Sequence, residues 1–144
     1  MFIGIKLVEG ADESFIPKKA HQEDSGFDLK SFECKFIAPG SWVLLSTGFY
    51  IDLPFGHEAI IRPRSGLALK HGITVLNSPA TIDENYKGIV GVILINHSND
   101  GFIVNIGDRI AQMVIQKKED IELITVSDIG NSKRGNKGFG STGK

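Results

Sequence analysis

The sequence predicts an all-β protein, a sandwich or barrel of short strands. Short runs rich in Ile, Val and Phe recur along the chain, turn signals built from Gly, Pro, Asn and Asp separate them, and only one stretch has the composition of a helix. At 144 residues the chain suits one domain, large enough to bury a core without cross-links.

In chain order the strand candidates are IGIKLV (3–8), SWVLLSTGFYI (41–51), EAIIR (58–62), GITVL (72–76), GIVGVILIN (88–96), FIVNI (102–106), RIAQMVIQ (109–116) and IELITV (121–126). Their boundaries are PG, PFG, NSP, SNDG and IGD, residues that either reach positive φ or stop a ladder. RIAQMVIQ is short and rich in β-branched residues, so strand is favoured over helix. The helix is SGLALKHG (65–72): Ser65 is expected as its N-cap, Leu67 to Lys70 are good helix formers, and Gly72 closes it in the left-handed conformation. Phe27 and Leu29 flank Asp28 in strand-like alternation, and residues 78–88 read as a hairpin between two strands. From about Asn131 the chain is glycine-rich, charged and poor in apolar residues, an arm expected to be mobile on its own.

Composition excludes several classes of function. Sixteen Lys and Arg against seventeen Asp and Glu leave a net charge of −1, which argues against broad affinity for nucleic acid or anionic membrane but not against one small anionic ligand. A single cysteine, Cys34, excludes an internal disulfide and is expected to be half-buried. No apolar run reaches membrane-spanning length, and MFIGIKLVEGADES lacks the features of a secretory signal, so a reducing, cytoplasmic setting is the default expectation. The four histidines match no metal-binding spacing. A magnesium ion held mainly by substrate phosphates is compatible, because it needs few protein ligands.

Four stretches carry candidate chemistry, each with an ordinary reading beside it. Residues 138–144, GFGSTGK, fit the spacing of a phosphate-binding Walker loop, but no helix follows Lys144, so the match is a coincidence. Phe139 between Gly138 and Gly140, with Ser141, Thr142 and Arg134 near, nevertheless suits a tail that orders over a nucleotide: an aromatic face to stack on a base, hydroxyls and a guanidinium for phosphate. RPRSG (62–66) places a guanidinium, Arg64, and the small residues Ser65 and Gly66 at a helix start, where free N–H groups favour an anion; a surface arginine on a capped helix is the plain alternative. In SPATIDENYKG (78–88), Asp83 is either a turn residue or an edge-buried carboxylate that activates water, with Tyr86 three residues on. In DSGFDL (24–29), Asp28 is either a surface residue or a buried partner of an arginine such as Arg64.

The order of these motifs is more specific than any one of them. SGFDL, PRSGLALKHGI, TIDENYKG, GDRIAQMV and RGNKGFGSTG resemble the five ordered motifs of the homotrimeric dUTP diphosphatase (dUTPase) family, over about residues 24–143. The resemblance implies a jelly-roll β-sandwich with one short helix, assembled as a homotrimer with active sites at subunit boundaries. It implies a β domain over 1–130 and an arm over 131–144 that closes over an active site. It also implies hydrolysis of dUTP to dUMP and pyrophosphate with Mg²⁺. Asp83 matches the water-activating aspartate. Arg64, Ser65, Gly66 and Gln112 match phosphate contacts, and Asp28 the supporting aspartate near the metal. Tyr86 matches the aromatic under deoxyribose, and Asn77 an asparagine toward uracil. Arg134, Phe139, Gly140, Ser141 and Thr142 match the closing arm. Three positions depart from the family pattern: Ala80 stands where glycine is usual, Lys87 where arginine is common and Ile89 where an acidic residue is common. A left-handed backbone at 80 would make alanine costly, whereas a need for close approach would make it narrow the base pocket. The alternatives are a dCTP deaminase-like enzyme, in which the base is usually a glutamate, and a nucleotide-controlled regulatory binding protein.

Overall fold

A computed structural model describes residues 1–138. Among these residues there are ten strands, all paired antiparallel: β1 (Gly4–Leu7), β2 (Phe27–Lys30), β3 (Lys35–Ile37), β4 (Trp42–Asp52), β5 (His57–Arg62), β6 (Ile73–Val75), β7 (Ala80–Ile82), β8 (Ile89–Asn96), β9 (Phe102–Val104) and β10 (Arg109–Lys117). A single α-helix, α1 (Ser65–His71), and a short 3₁₀ turn at Glu13–Phe15 accompany them. One sheet runs β1-β4-β8-β6 and the other β2-β10-β5-β7, with β3-β9 as a separate pair. The two four-stranded sheets take their strands alternately along the chain, so each bridge between sheets closes the layered core. The expected all-β fold with one short helix is the fold observed. Among the described residues, no helix is long and apolar enough to cross a membrane.

Alternation fills the interior. In β8, Val90, Val92 and Leu94 are buried, and Leu45, Phe49 and Ile51 of β4 join them with Leu29, Ile61 and Met113 of the other sheet. Ser31, Thr47 and Asn96 are the polar exceptions and all three are satisfied, Ser31 by donating to the Glu33 carbonyl at 2.7 Å. The Thr47 hydroxyl donates to the Val90 carbonyl at 2.7 Å. The Asn96 amide donates to the carbonyls of Ile37 at 3.1 Å and Asp100 at 2.7 Å, while its oxygen accepts from the Ser98 N–H. Midway along β4 the pairing with β8 slips between Ser46 and Tyr50. Gly48 sits there at φ 80°, and a Cβ on it would lie 3.0 Å from the Phe32 ring, so only glycine fits both the backbone and the packing.

Several sequence expectations change. IELITV (121–126) forms no strand: Leu123 is 93% exposed and its neighbours Ile121, Ile124 and Val126 are also exposed. Its composition suits a strand, but among the described residues it joins no ladder. Ser65 is the first helical residue and not the N-cap. Extended Arg64 holds the cap position without a side-chain cap bond, because a guanidinium has no acceptor to offer the free helix N–H groups. Gly72 does close the helix, at φ 64° with its N–H on the Ala68 carbonyl. Cys34 is exposed, in the loop before β3. Ala80 opens β7 and pairs with Ile61, so its backbone is ordinary strand and alanine is unstrained there.

Candidate active site

The first cluster is assembled across three adjacent strands. In the register of the second sheet, Gln112 of β10 lies opposite both Asp28 of β2 and Arg62 of β5. Two residues beyond Arg62, past Pro63, Arg64 turns back over the sheet. Its Nε lies 3.4 Å from Asp28 Oδ1, and its Nη1 donates to the Arg109 carbonyl at 2.9 Å. Arg109 Nη1 donates to Asp28 Oδ2 at 3.0 Å. Asp28 is therefore the buried partner of Arg64, with its side chain 15% exposed, and it holds a second guanidinium as well. Arg64 Nε is enclosed and close to the carboxylate, yet its N–H direction makes no hydrogen bond, so this half of the pair is electrostatic.

Sequence reasoning missed Arg109. Residues three apart on a regular strand face opposite sides, which would separate Arg109 from Gln112. A register shift between Arg109 and Ala111 undoes this: Ile110 and Ala111 are both buried, and the two polar side chains emerge on one face. The signal was the adjacent pair Ile110-Ala111 between two polar residues, which breaks the period of two. Gln112 lies directly over Gly26, where a Cβ would come within 3.0 Å of its Oε1. Beside this cluster the first turn of α1 presents Ser65 and Gly66, both exposed, with nothing within 4 Å of where a Gly66 Cβ would stand. The first helical hydrogen bond is Ala68 N–H to the Arg64 carbonyl, so the N–H groups before it are available to an anion.

The second cluster surrounds the turn after β7. A cleft of about 180 Å³ is lined by Ile61, Asn77, Ala80, Thr81, Ile82, Asp83, Tyr86 and Gly91. Asp83 is exposed and not edge-buried as the sequence reading allowed, because it stands one residue past the end of β7. Among the described residues its carboxylate takes no hydrogen bond or ion pair. The turn is closed by Tyr86 N–H on the Asp83 carbonyl at 3.1 Å. The Tyr86 hydroxyl donates to the Ile89 carbonyl at 2.9 Å, and its ring covers Gly88, where a Cβ would collide with it. Gly88 thus lets the ring lie flat at the cleft wall. The Ser78–Pro79 peptide is cis, in the turn that leads into β7.

The clusters stand apart within one chain. β7 pairs antiparallel with β5, Ala80 opposite Ile61 and Ile82 opposite Ala59. Continued by one residue, this register sets Asp83 level with Glu58 near the start of β5, while Arg64 lies beyond the other end, roughly 20 Å away at ~3.3 Å per residue. Of the arm residues, Arg134 is described: it is exposed, and its Nε donates to the Lys137 carbonyl at 3.0 Å. Phe139, Gly140, Ser141 and Thr142, and with them most of the Walker-like GFGSTGK, lie outside the described residues.

Such a site, a guanidinium–carboxylate cluster for phosphate and a remote carboxylate beside an aromatic-walled cleft on an antiparallel sandwich, is that of a β-fold protein that handles a small phosphorylated ligand. A model of the dUTPase family matches residues 12–143, and the chain belongs to that family. It is 49% identical to a deoxyuridine 5'-triphosphate nucleotidohydrolase of Nautilia profundicola, covering 97% of this chain and 99% of that one. It is 52% identical to the protein of that name from Crocosphaera subtropica, covering 96% and 98%. Among solved structures it is similar to a Staphylococcus bacteriophage 80alpha dUTPase mutant with dUpNHpp, at TM-score 0.87 and 25% identity over 99% of both chains. It is also similar to the dUTPase of Streptococcus mutans, at TM-score 0.77 and 27% identity over 83% of this chain and 98% of that one.

Proposed function

We propose that this chain is a dUTP diphosphatase that hydrolyses dUTP to dUMP and pyrophosphate, which keeps uracil out of DNA and supplies dUMP for dTMP synthesis. One observation carries the reading: Asn77, Asp83 and Tyr86 line one cleft, as a uracil, a deoxyribose and a reacting water would require. Tyr86 packs under the sugar and leaves no room for a 2′-hydroxyl. Backbone groups of residues 77–88 read the uracil edge, and Ala80, set in the cleft wall, narrows the space around the base. Asp83 orients and deprotonates a water for in-line attack on the α-phosphorus. Arg64, the Ser65–Gly66 turn and Gln112 bind the phosphates, with Asp28 holding Arg64 and Arg109 in place.

The donor set suits a metal that travels with the substrate. Among the described residues no three His, Cys, Asp or Glu side chains converge, and Asp28, the one carboxylate of its cluster, is already paired with two guanidiniums. A Mg²⁺ held mainly by phosphate oxygens, with Asp28 nearby, fits such a donor set. When bound, that ion offsets phosphate charge.

The same register argument supports a homotrimer with shared sites. Asp83 and Arg64 of one chain are too far apart to act on one triphosphate, so the two clusters serve one ligand only when supplied by different copies. Trp42 and Leu44, 62% and 59% exposed on β4, give the outer face of the first sheet an apolar character suited to burial between copies. Residues 1–130 form the β domain. The arm, 131–144, with Arg134, Phe139, Gly140, Ser141 and Thr142, closes over a site and excludes water. The setting is cytoplasmic. Incubation with dUTP and Mg²⁺ should release pyrophosphate, and dCTP and dTTP should not. No release from dUTP would end the proposal, and ammonia from dCTP would favour the deaminase reading.

A further inference from the structure

Asp83 takes no side-chain partner among the described residues, so its aim depends on its backbone, and the residue that ties that backbone down is the next one. Glu84 Oε2 accepts the Gly56 N–H at 2.5 Å, and Oε1 accepts from Lys118 Nζ at 2.9 Å. Lys118 N–H in turn donates to the Gly56 carbonyl at 2.9 Å. Three segments far apart in sequence meet at this one carboxylate: the turn between β4 and β5, the loop that bears Asp83 and Tyr86, and the first residue beyond β10, where the chain leaves the sandwich toward the arm. The Glu84 side chain is 19% exposed and Lys118 40% exposed, so the pair is partly shielded from water. Lys118 and the Gly56 N–H hold the Glu84 carboxyl below its usual range, and Glu84 raises the Lys118 ammonium. A second tie, Lys87 to Asp52, is exposed on both sides and contributes little.

We propose that Glu84 is a positioning residue: by bridging Gly56 and Lys118 it fixes the loop that aims Asp83 and joins that loop to the end of β10. This rests on the dUTPase reading for the role of Asp83, but the bridge itself is testable without turnover. Glu84→Ala removes both bonds, whereas Glu84→Gln keeps an acceptor for Gly56 but loses the negative charge that faces Lys118. Misplacement of a base by a fraction of an ångström lowers the chemical step, so Glu84→Ala should reduce kcat about tenfold with KM for dUTP nearly unchanged. Glu84→Gln and Lys118→Met should each give a smaller loss. Combined, they should be no worse than the more severe single change, because both remove one interaction. Rates are normalised to titrated active sites, so a loss of folded protein cannot mimic the effect. Amide hydrogen exchange on the intact chain should show faster exchange across residues 83–88 in Glu84→Ala, with β8 and β10 unchanged. If the wild type cleaves dUTP and Glu84→Ala keeps its kcat, or if exchange in 83–88 is unaltered, the positioning role is wrong. If the wild type does not cleave dUTP, the function falls separately, and exchange alone decides whether the bridge holds the loop.

Discussion

At the scale of single residues, the site is organised by side chains that hold other side chains. Asp28 sits between Arg64 and Arg109 and offsets part of their charge, so Asp28→Asn leaves two guanidiniums facing each other across a neutral amide. That change should cost about 1–2 kcal/mol of stability, less than a fully buried pair because Arg109 is half exposed. It should also raise KM for dUTP, read from urea midpoints and steady-state kinetics together. Asp83 has the opposite character. It holds nothing, so Asp83→Asn should leave folding and substrate affinity intact while lowering kcat by about 10²–10⁴-fold, the range for loss of a general base. Gly88 is a glycine for its neighbour's sake. Gly88→Ala should push Tyr86 off its place over the backbone and weaken discrimination between dUTP and UTP, measured as the ratio of the two kcat/KM values.

At the scale of elements, bends and irregularities decide which faces meet. The slip in β4 at Gly48 leaves Leu45, Thr47, Phe49 and Ile51 all facing inward, whereas the slip in β10 near Ile110 reverses the inside–outside alternation and brings Arg109 and Gln112 to the same face as Asp28. The loop between β2 and β3 is held to β4 by Glu33, whose Oε2 accepts the Ser46 N–H at 2.6 Å with Lys35 Nζ beside Oε1 at 3.2 Å. The Ser46 N–H, aided by Lys35, lowers the Glu33 carboxyl from its ordinary value. A depressed folded-state value means that the stabilisation is present above the unfolded carboxylate range and is lost as pH falls through the folded value. Urea midpoints should therefore drop on acidification toward about pH 4, where carboxylates titrate. Glu33→Gln should be less stable than the wild type at neutral pH and show a shallower acid-side decline.

At the scale of the whole molecule, the proposed sharing of sites between copies rests on the geometry of one chain. Its base and its phosphate cluster lie at opposite ends of β5, and the apolar run 121–129 lies on the surface with Leu123 and Ile129 nearly fully exposed. Sedimentation should give a trimer mass, and Leu44→Glu on the exposed face should shift it toward protomers with loss of turnover. Deletion of residues 131–144 should lower catalysis sharply while the trimer persists. Turnover unchanged by that deletion would remove the arm from the mechanism.

Much of this was legible in the residues. Apolar alternation identified seven of the strands, Gly72 marked the helix end, and the pairing of Asp28 with Arg64 was among the readings open for DSGFDL. Local chemistry determines such features, because propensity, turn residues and periodicity act over a few neighbours. The tertiary structure decided the rest: that IELITV joins no ladder among the described residues, that Arg109 joins Asp28, that Arg64 caps α1 in place of Ser65, and that Asp83 and Arg64 of one chain diverge. Each of these turns on strand register, and register depends on which distant segments hydrogen-bond, a choice that no short window of sequence contains.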